Sequence, residues 1–382
     1  MREFGHEGTK NFLVDFIWDL VKDNEYISEI ETNAPGILFY KERGQRKSIE
    51  IPLKTEEEYH DAVDGIIEKA GLHKKPFLVE GRYTFKDGRF GRLHIIMPPA
   101  APFAAITMAI KSSTLRDLTS IQAAGSFNTE ISLFLKAAIG SKLTTVISGG
   151  TGAGKTTMIE AMTGEFDLDA RVGVAEDAPE LLLPGQNVVY LNSTVRAPGV
   201  DEKDIATLEW VVQQINRMRV DLIIVGETRG KEFYDYIIGA NSGKPGSLTT
   251  IHADDGPAAV RKMATFINIA VNMPPRAIAE MISEAIDIVI QLGLDNKTKQ
   301  HRVISIDEVT NTISSGEYPT IALNPLFSYN QETGQWERKF ATDHLKKKLQ
   351  LAGYDPNTYR KMAEEDEFTA GGGLPSYLKR ED

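Results

Sequence analysis

The chain contains no cysteine, although its 382 residues are enough for two domains. Disulfides, thiolate metal sites and catalysis by a thiol are therefore excluded within it. Long apolar runs are also missing: the weakly apolar stretch 97–110 carries three prolines and is too short to span a bilayer. The first residues have no apolar segment that resembles a signal peptide. We therefore expect a cytoplasmic protein without a direct membrane span.

Acidic residues outnumber basic ones. The chain has 43 lysines and arginines against 54 aspartates and glutamates, which gives a net charge of −11 at pH 7. Binding to the nucleic-acid backbone requires clustered positive charge, so we expect no broad nucleic-acid surface. A local basic channel stays possible. Otherwise the composition, with 41% hydrophobic residues, is that of an ordinary globular protein.

Four glycines lie close together in one stretch near the middle of the chain. Residues 143–147 are apolar or β-branched, which predicts a buried strand. The segment GGTGAGKTT follows and matches the phosphate-binding loop pattern. No glycine or proline then occurs before Gly164, so a helix is predicted after the loop. The predicted nucleotide-binding residues are Gly149, Gly150, Thr151, Gly152, Ala153, Gly154, Lys155, Thr156 and Thr157.

Each residue type in this loop suits a triphosphate. Glycines let the backbone curl, so that successive N–H groups converge on phosphate oxygens. Lys155 would reach the β- and γ-phosphates, and the Thr156 hydroxyl would hold Mg²⁺. The dipole of the following helix would favour the same negative charge. The sequence therefore predicts a site for ATP and Mg²⁺.

The pattern of short strands and helices differs on the two sides of this loop. Before residue 112 it predicts a small α+β domain with a leading helix. After residue 129 strands and helices alternate, which predicts an α/β domain with a parallel-rich sheet and its ligand at the carboxyl ends of the strands. The predicted parts are an N-terminal domain (1–112), a linker (113–128), the P-loop domain (129–312), a hairpin-and-helix extension (313–365) and a disordered tail (366–382).

Three further residues follow predicted strands of the P-loop domain. Glu227 follows the apolar strand 222–225, where a P-loop enzyme needs a carboxylate near the metal. Glu176 ends another strand and could orient or deprotonate an attacking water. His252 ends a third. A lone histidine is more often a packed or surface residue, so its spacing alone assigns it no role.

These residues leave several functions open. ATP hydrolysis needs a base such as Glu176. A P-loop phosphotransferase would instead need an acceptor pocket, and a nucleic-acid motor of the recombinase or helicase type would need a basic channel. A scaffold that binds nucleotide without hydrolysing it would not need Glu176, Glu227 and His252 together.

Four motifs in a fixed order resemble those of the secretion ATPases. GGTGAGKTT, VAEDAPEL, RMRVDLIIVGETRG and GSLTTIHADD are similar to the Walker A motif, acidic box, Walker B motif and histidine box of that family. The family serves type IV secretion and conjugation, type II secretion and type IV pili. GKPGSLTTIHA resembles its conjugation branch, and NPLFSYNQETGQW resembles the C-terminal extension of Tad-type pilus ATPases. The resemblance implies a RecA-like P-loop domain.

The resemblance also implies roles for particular residues. Glu176 would position water, Glu227 would be the Walker B carboxylate at the metal, and His252 would contact the γ-phosphate region. Basic residues of the N-terminal domain reach the nucleotide in this family, and Arg92 and Lys111 stand at the matching positions. Lys111 departs from the usual arginine and cannot supply the same planar fork. Further candidates for a site shared between subunits are Arg196, Arg217, Arg219 and Arg229.

The implied function is that of a cytoplasmic motor. The family resemblance predicts a hexamer that hydrolyses ATP to ADP and phosphate and works on secretion or pilus assembly. It also predicts that the ring associates with the inner face of the cell membrane through platform or channel proteins of the machine.

Overall fold

The computed structural model describes residues 6–42, 45–72, 77–111, 116–167, 169–185, 187–193, 205–317 and 319–354. These residues form two compact units. The first unit contains the described residues before 116, residues 176–180 and the described residues within 192–207; the second contains the rest. Arg196 and the predicted tail 366–382 lie outside the described residues.

The described residues of the first unit form a six-stranded antiparallel sheet and two helices. Its elements in chain order are α1 (His6–Val21), β1 (Ile27–Thr32), β2 (Ile37–Glu42), β3 (Gln45–Glu50), α2 (Glu56–Lys69), β4 (Leu78–Thr84), β5 (Phe90–Ile96) and β6 (Ala105–Lys111). The strand order is β3-β2-β1-β6-β5-β4, and each neighbouring pair is antiparallel.

Local sequence accounts for the position of α2. The Thr55 hydroxyl accepts a hydrogen bond from the backbone N–H of Glu58 at 3.2 Å, and the Glu58 carboxylate accepts one from the N–H of Thr55 at 3.0 Å. This reciprocal capping box satisfies N–H groups that have no partner inside the helix. The helix then buries Val63 and Ile66 in the core of the first unit.

Strand β6 was not predicted. It lies between β1 and β5, so both of its edges are paired. Every second residue of the strand is buried: Ile106, Met108 and Ile110 lie in the core of the first unit. The three prolines of residues 97–102 precede it and weakened the strand pattern in the sequence.

The second unit is built on a nine-stranded sheet of order β15-β14-β13-β12-β7-β11-β10-β8-β9. Its elements are α3 (Leu118–Ala123), α4 (Thr129–Gly140), β7 (Thr145–Gly149), α5 (Lys155–Thr163), β8 (Val172–Glu176), β9 (Val188–Asn192), α6 (Leu208–Arg217), β10 (Leu222–Val225), α7 (Glu232–Asn241), β11 (Leu248–Ile251), α8 (Gly256–Ala270), α9 (Pro275–Ala285), β12 (Ile288–Leu294), β13 (His301–Ile313), β14 (Ile321–Asn330), β15 (Gln335–Arg338) and α10 (Asp343–Leu351).

The middle of this sheet is parallel and the β15 side is antiparallel. Strands β12, β7, β11, β10 and β8 pair in parallel, whereas β12 to β15 form an antiparallel series. Every residue of β7, β8, β10 and β11 is buried. Continuous burial is expected when helices cover both faces of a parallel sheet. The parallel-rich sheet predicted from the sequence is therefore confirmed.

Two segments concern the predicted division of the chain. The segment 113–128, predicted as a linker, contains α3, which is capped by Asp117 and buries Leu118 and Ile121 in the core of the second unit. The hairpin β14–β15 continues the nine-stranded sheet, because β14 pairs with β13. In the described part of the chain, no helix combines the length and apolar character that crossing a bilayer requires.

Candidate functional site

The carboxyl ends of the parallel strands place three predicted motifs at one edge of the nine-stranded sheet. In register, Ile251 of β11 pairs with Ser148 of β7, and Val225 of β10 pairs with Thr249 of β11. The residues that follow these strands therefore emerge side by side. They are the glycine-rich loop after β7, His252 after β11 and Glu227 after β10. This edge is where open α/β sheets bind ligands.

The glycine-rich loop joins β7 directly to α5. Gly149 must lack a side chain, because a Cβ there would lie 2.7 Å from the carbonyl oxygen of Leu292 in β12. Gly154, with φ +92°, is the N-cap of helix α5, whose first residue is Lys155. Among the described residues, apart from the chain neighbours of each glycine, no atom lies within 4 Å of a Cβ placed on Gly150 or Gly152, so these residues leave the loop open there. The arrangement leaves the helix N-terminus accessible to an anion, with Thr151 exposed and Thr156 and Thr157 half-buried.

Lys155 connects the loop to His252. Lys155 is 8% exposed, and its ammonium group donates hydrogen bonds to the carbonyl oxygens of Gly149 and Gly150, both at 2.9 Å. The same Nζ lies 3.2 Å from Nδ1 of His252. An ammonium group can only donate, so Nδ1 accepts and a neutral His252 carries its proton on Nε2. Nε2 lies 2.8 Å from Oε1 of Glu227, but the angle of this contact is not that of a hydrogen bond.

Glu227 is held from its other side by Arg229. Nη2 of Arg229 donates to Oε2 of Glu227 at 2.6 Å. The surrounding turn is braced: the Glu232 carboxylate accepts from the backbone N–H of Gly230 at 2.7 Å, and the Thr228 N–H donates to the Thr250 carbonyl at 2.9 Å. Lys155, His252, Glu227 and Arg229 thus form a continuous series of polar contacts beside the glycine-rich loop.

Glu176, the last residue of β8, is grouped with the first unit and is 4% exposed. Its Oε1 accepts a hydrogen bond from the backbone N–H of Glu180 at 3.0 Å. The Glu180 carboxylate in turn accepts one from Nη1 of Arg92 at 2.7 Å and lies 3.9 Å from Nζ of Lys111. Glu180 was not predicted as a site residue. The sequence feature that could have identified it is its position in the acidic box, four residues after Glu176.

The remaining candidate arginines fall into two groups. Arg229 belongs to the polar series described above. Arg217 and Arg219 are exposed and precede β10, so they lie at the amino-end edge of the sheet, opposite the glycine-rich loop. The structure therefore brings neither of them to Lys155 of the same chain.

Comparison with known proteins identifies the family of this chain. The family profile described as "Type II/IV secretion system protein" matches residues 91–319, which is more than half of the chain. The chain belongs to the type II/IV secretion system protein family. The predicted family resemblance is thereby confirmed.

Relatives in this family differ in how much of their length is matched. A Mycobacterium tuberculosis protein named for conjugal transfer is 30% identical over 205 residues, which are 53% of this chain and 57% of that protein. The chain thus spans little more than half the length of that relative. VirB11 of Rhizobium radiobacter is 27% identical over 299 residues, 70% of this chain and 85% of that protein.

A solved relative shows the fold. The ATPase DotB of Legionella pneumophila superimposes with a TM-score of 0.54 at 18% identity, over 95% of this chain and 89% of that one. The predicted fold class is confirmed: an α/β, RecA-like P-loop domain preceded by a smaller α+β domain.

The charges in this family member's site influence one another. Burial alone would raise the pKa of Glu227, but the hydrogen bond and charge of Arg229, with the charges of His252 and Lys155, outweigh it and hold that pKa below its usual value. Burial lowers the pKa of His252; the Glu227 carboxylate raises it, and the cations Lys155, Arg229 and Lys262 lower it. Glu227 is therefore ionised and His252 neutral at pH 7.

The donor groups near the loop fit a hydrated Mg²⁺. Among the described residues, no three acidic, histidine or cysteine side chains converge on one point. Mg²⁺ does not require such a cage, because it keeps several waters and takes one or two protein oxygens together with phosphate oxygens. The Thr156 hydroxyl and the Glu227 carboxylate are oxygen ligands of this kind. Thr156 directly follows Lys155 in the chain, and the Glu227 carboxylate lies beside His252.

Two substitutions should move the pKa of His252 in opposite directions. In protein without nucleotide or divalent cation, Glu227→Gln should lower this pKa further, because the carboxylate stabilises the imidazolium. Lys155→Ala should raise it, because a neighbouring cation is removed. NMR of isotope-labelled histidine, assigned with His252→Gln, measures both shifts. Shifts of the same sign in the two variants would contradict the contact geometry.

Proposed function

We propose that this protein hydrolyses ATP to power substrate transport or assembly in a type IV secretion, conjugation or Tad-type pilus machine. The observation that carries the proposal is the contiguous set Lys155, His252 and Glu227 beside an open glycine-rich loop. Family membership supports it, as do relatives named VirB11 or named for conjugal transfer.

The loop would bind the β- and γ-phosphates of ATP. Lys155 rests on two carbonyl oxygens of its own loop, which hold its ammonium group at the point where phosphates would bind. Phosphate oxygens would exchange with these carbonyls as hydrogen-bond acceptors. Mg²⁺, held by Thr156 and Glu227, would supply positive charge to the phosphate oxygens. Neutral His252 would donate from Nε2 toward the γ-phosphate region.

Glu176 would serve as the base. Its carboxylate would orient a water and accept its proton as the water oxygen attacks the γ-phosphorus, which releases ADP and phosphate. The backbone N–H of Glu180 orients one carboxylate oxygen, Oε1, of Glu176.

Arg92 and Lys111 would contribute positive charge to the transition state. Phosphoryl transfer gains from a basic side chain supplied from elsewhere in the fold or from a neighbouring subunit. We therefore propose a ring of six subunits, the number implied by the family, in the cytoplasm. Platform or channel proteins at the inner face of the cell membrane would receive the work of the ring.

Lys155→Ala tests nucleotide use. The variant should lose measurable ATP hydrolysis, because the charge that neutralises the phosphates is gone, while its circular dichroism spectrum stays that of the wild type. Lys347→Ala, on the exposed face of α10, is the matched control and should keep wild-type turnover. Hydrolysis by Lys155→Ala at the wild-type rate would overturn the proposal.

Glu176→Gln separates binding from chemistry. The variant should bind Mg-ATP normally and turn over about 10²–10⁴-fold more slowly, which is the usual effect of losing a positioned base. Asp177→Asn, the exposed neighbour whose Oδ1 accepts from Ser193, should stay within about tenfold of wild type because no catalytic proton passes through it. Calorimetric binding and a phosphate-release assay measure both quantities. Loss of ATP binding by Glu176→Gln would give this residue a structural or metal-binding role instead.

Arg92→Ala tests the ring. Activity per subunit should rise with protein concentration and follow a species near six subunits, and Arg92→Ala should lower turnover more than it lowers oligomerisation. Arg46→Ala, in the exposed edge strand β3, is the control for loss of an arginine in the same unit. Light scattering coupled to size exclusion, with activity measured on each fraction, checks both points. A fully active monomer would favour the phosphotransferase function over the ring.

A further inference from the structure

The turn between β12 and β13 lies against the glycine-rich loop on the side away from β11. Strand β12 pairs with β7 along its length, from Ile288 opposite Thr145 to Leu292 opposite Gly149. At the start of β13, Nδ1 of His301 lies 3.9 Å from the position that a Cβ on Gly154 would occupy. His301 is exposed. The imidazole ring of His301 therefore borders the loop at Gly154, the residue before Lys155.

The backbone around His301 is braced on both sides. On one side, the Asp295 carboxylate accepts from the backbone N–H groups of Lys297 and Thr298, at 2.8 and 2.7 Å, and from the Tyr329 hydroxyl at 2.5 Å. Such multiple hydrogen bonds hold a turn in one conformation.

The bracing on the other side of His301 comes from its neighbours in β13. Arg302 donates to the carbonyl oxygen of Gly125. The carbonyl oxygen of Val303 accepts a hydrogen bond from Nε1 of Trp336 at 2.7 Å, and the Val303 N–H donates one to the carbonyl oxygen of Ser126 at 2.9 Å. The histidine is thus carried on a rigid strand end, which limits the entropy lost when it contacts a ligand.

We propose that His301 forms the base-binding side of the nucleotide site, with its imidazole stacked on the nucleobase. This inference rests on the proposed use of ATP. The phosphates have their own ligands in the loop N–H groups and Lys155, so the nucleoside must extend from the loop toward its border. His301 supplies an exposed planar ring at that border, beside Gly154.

Stacking has a consequence for specificity. Every nucleobase has a π-face, so a stacking side chain contributes affinity without selecting strongly among bases. His301 should therefore favour nucleotides over ligands that carry only phosphates. It should do so whether the base is adenine or guanine.

Comparing ADP with inorganic tripolyphosphate tests this role. Both ligands place phosphates in the loop, but only ADP carries a base. Calorimetric titration of the full chain with Mg²⁺ should show that His301→Ala weakens ADP binding by about fivefold or more, while tripolyphosphate binding changes by less than about twofold. His301→Phe, which keeps a planar ring, should restore ADP binding. His344→Ala, an exposed histidine on α10, is the matched control and should change neither.

The outcomes separate this inference from the proposed function. Equal loss of both ligands in His301→Ala would mean that the residue acts on phosphate or on loop shape, which overturns the stacking role. Unchanged ADP affinity would overturn it as well, and neither result would affect ATP hydrolysis as the proposed function. Wild-type protein that binds neither ligand would contradict both.

Discussion

The parallel pairing of β7 with β11 and β12 is the constraint on which the site depends. Because these strands run in the same direction, the segments that follow them leave the sheet at the same edge. The approach of Gly149 to the Leu292 carbonyl is so close that only glycine fits at the end of β7. The position of the loop is thus set by sheet packing before any ligand binds.

Charge compensation inside the site follows from that packing. Burying Lys155 is costly unless its ammonium group is hydrogen-bonded, and two loop carbonyls and the His252 ring meet this requirement. His252 can accept from Lys155 only while it is neutral, and burial, together with the neighbouring cations, lowers its pKa and keeps it neutral. In the first unit, Glu180 plays a corresponding part by pairing with Arg92. In both places a charged side chain is matched by polar partners.

Much of the architecture could be predicted from local sequence, where local physics decides it. Strands β7 and β10 lie at the predicted apolar runs 143–147 and 222–225, and helix α5 lies in the predicted helical segment that ends before Gly164. Strand β13 could not be predicted, because it carries Asp307 and Glu308, which are buried. Glu308 is tolerated because Asn324 and Thr342, from later in the chain, donate to its carboxylate. Such partners are invisible in a window of sequence.

The sequence by itself determined which chemistry is available: a phosphate loop with Lys155 and Thr156, and carboxylates and a histidine at the ends of strands. Motif spacing is enough for this, because each motif is a single strand and the turn that follows it. Only the tertiary structure decided that Lys155, His252 and Glu227 are in contact, that Arg217 and Arg219 lie at the other edge, and that His301 borders the loop. Those relations depend on strand order, and strand order is settled by packing among segments far apart in the chain.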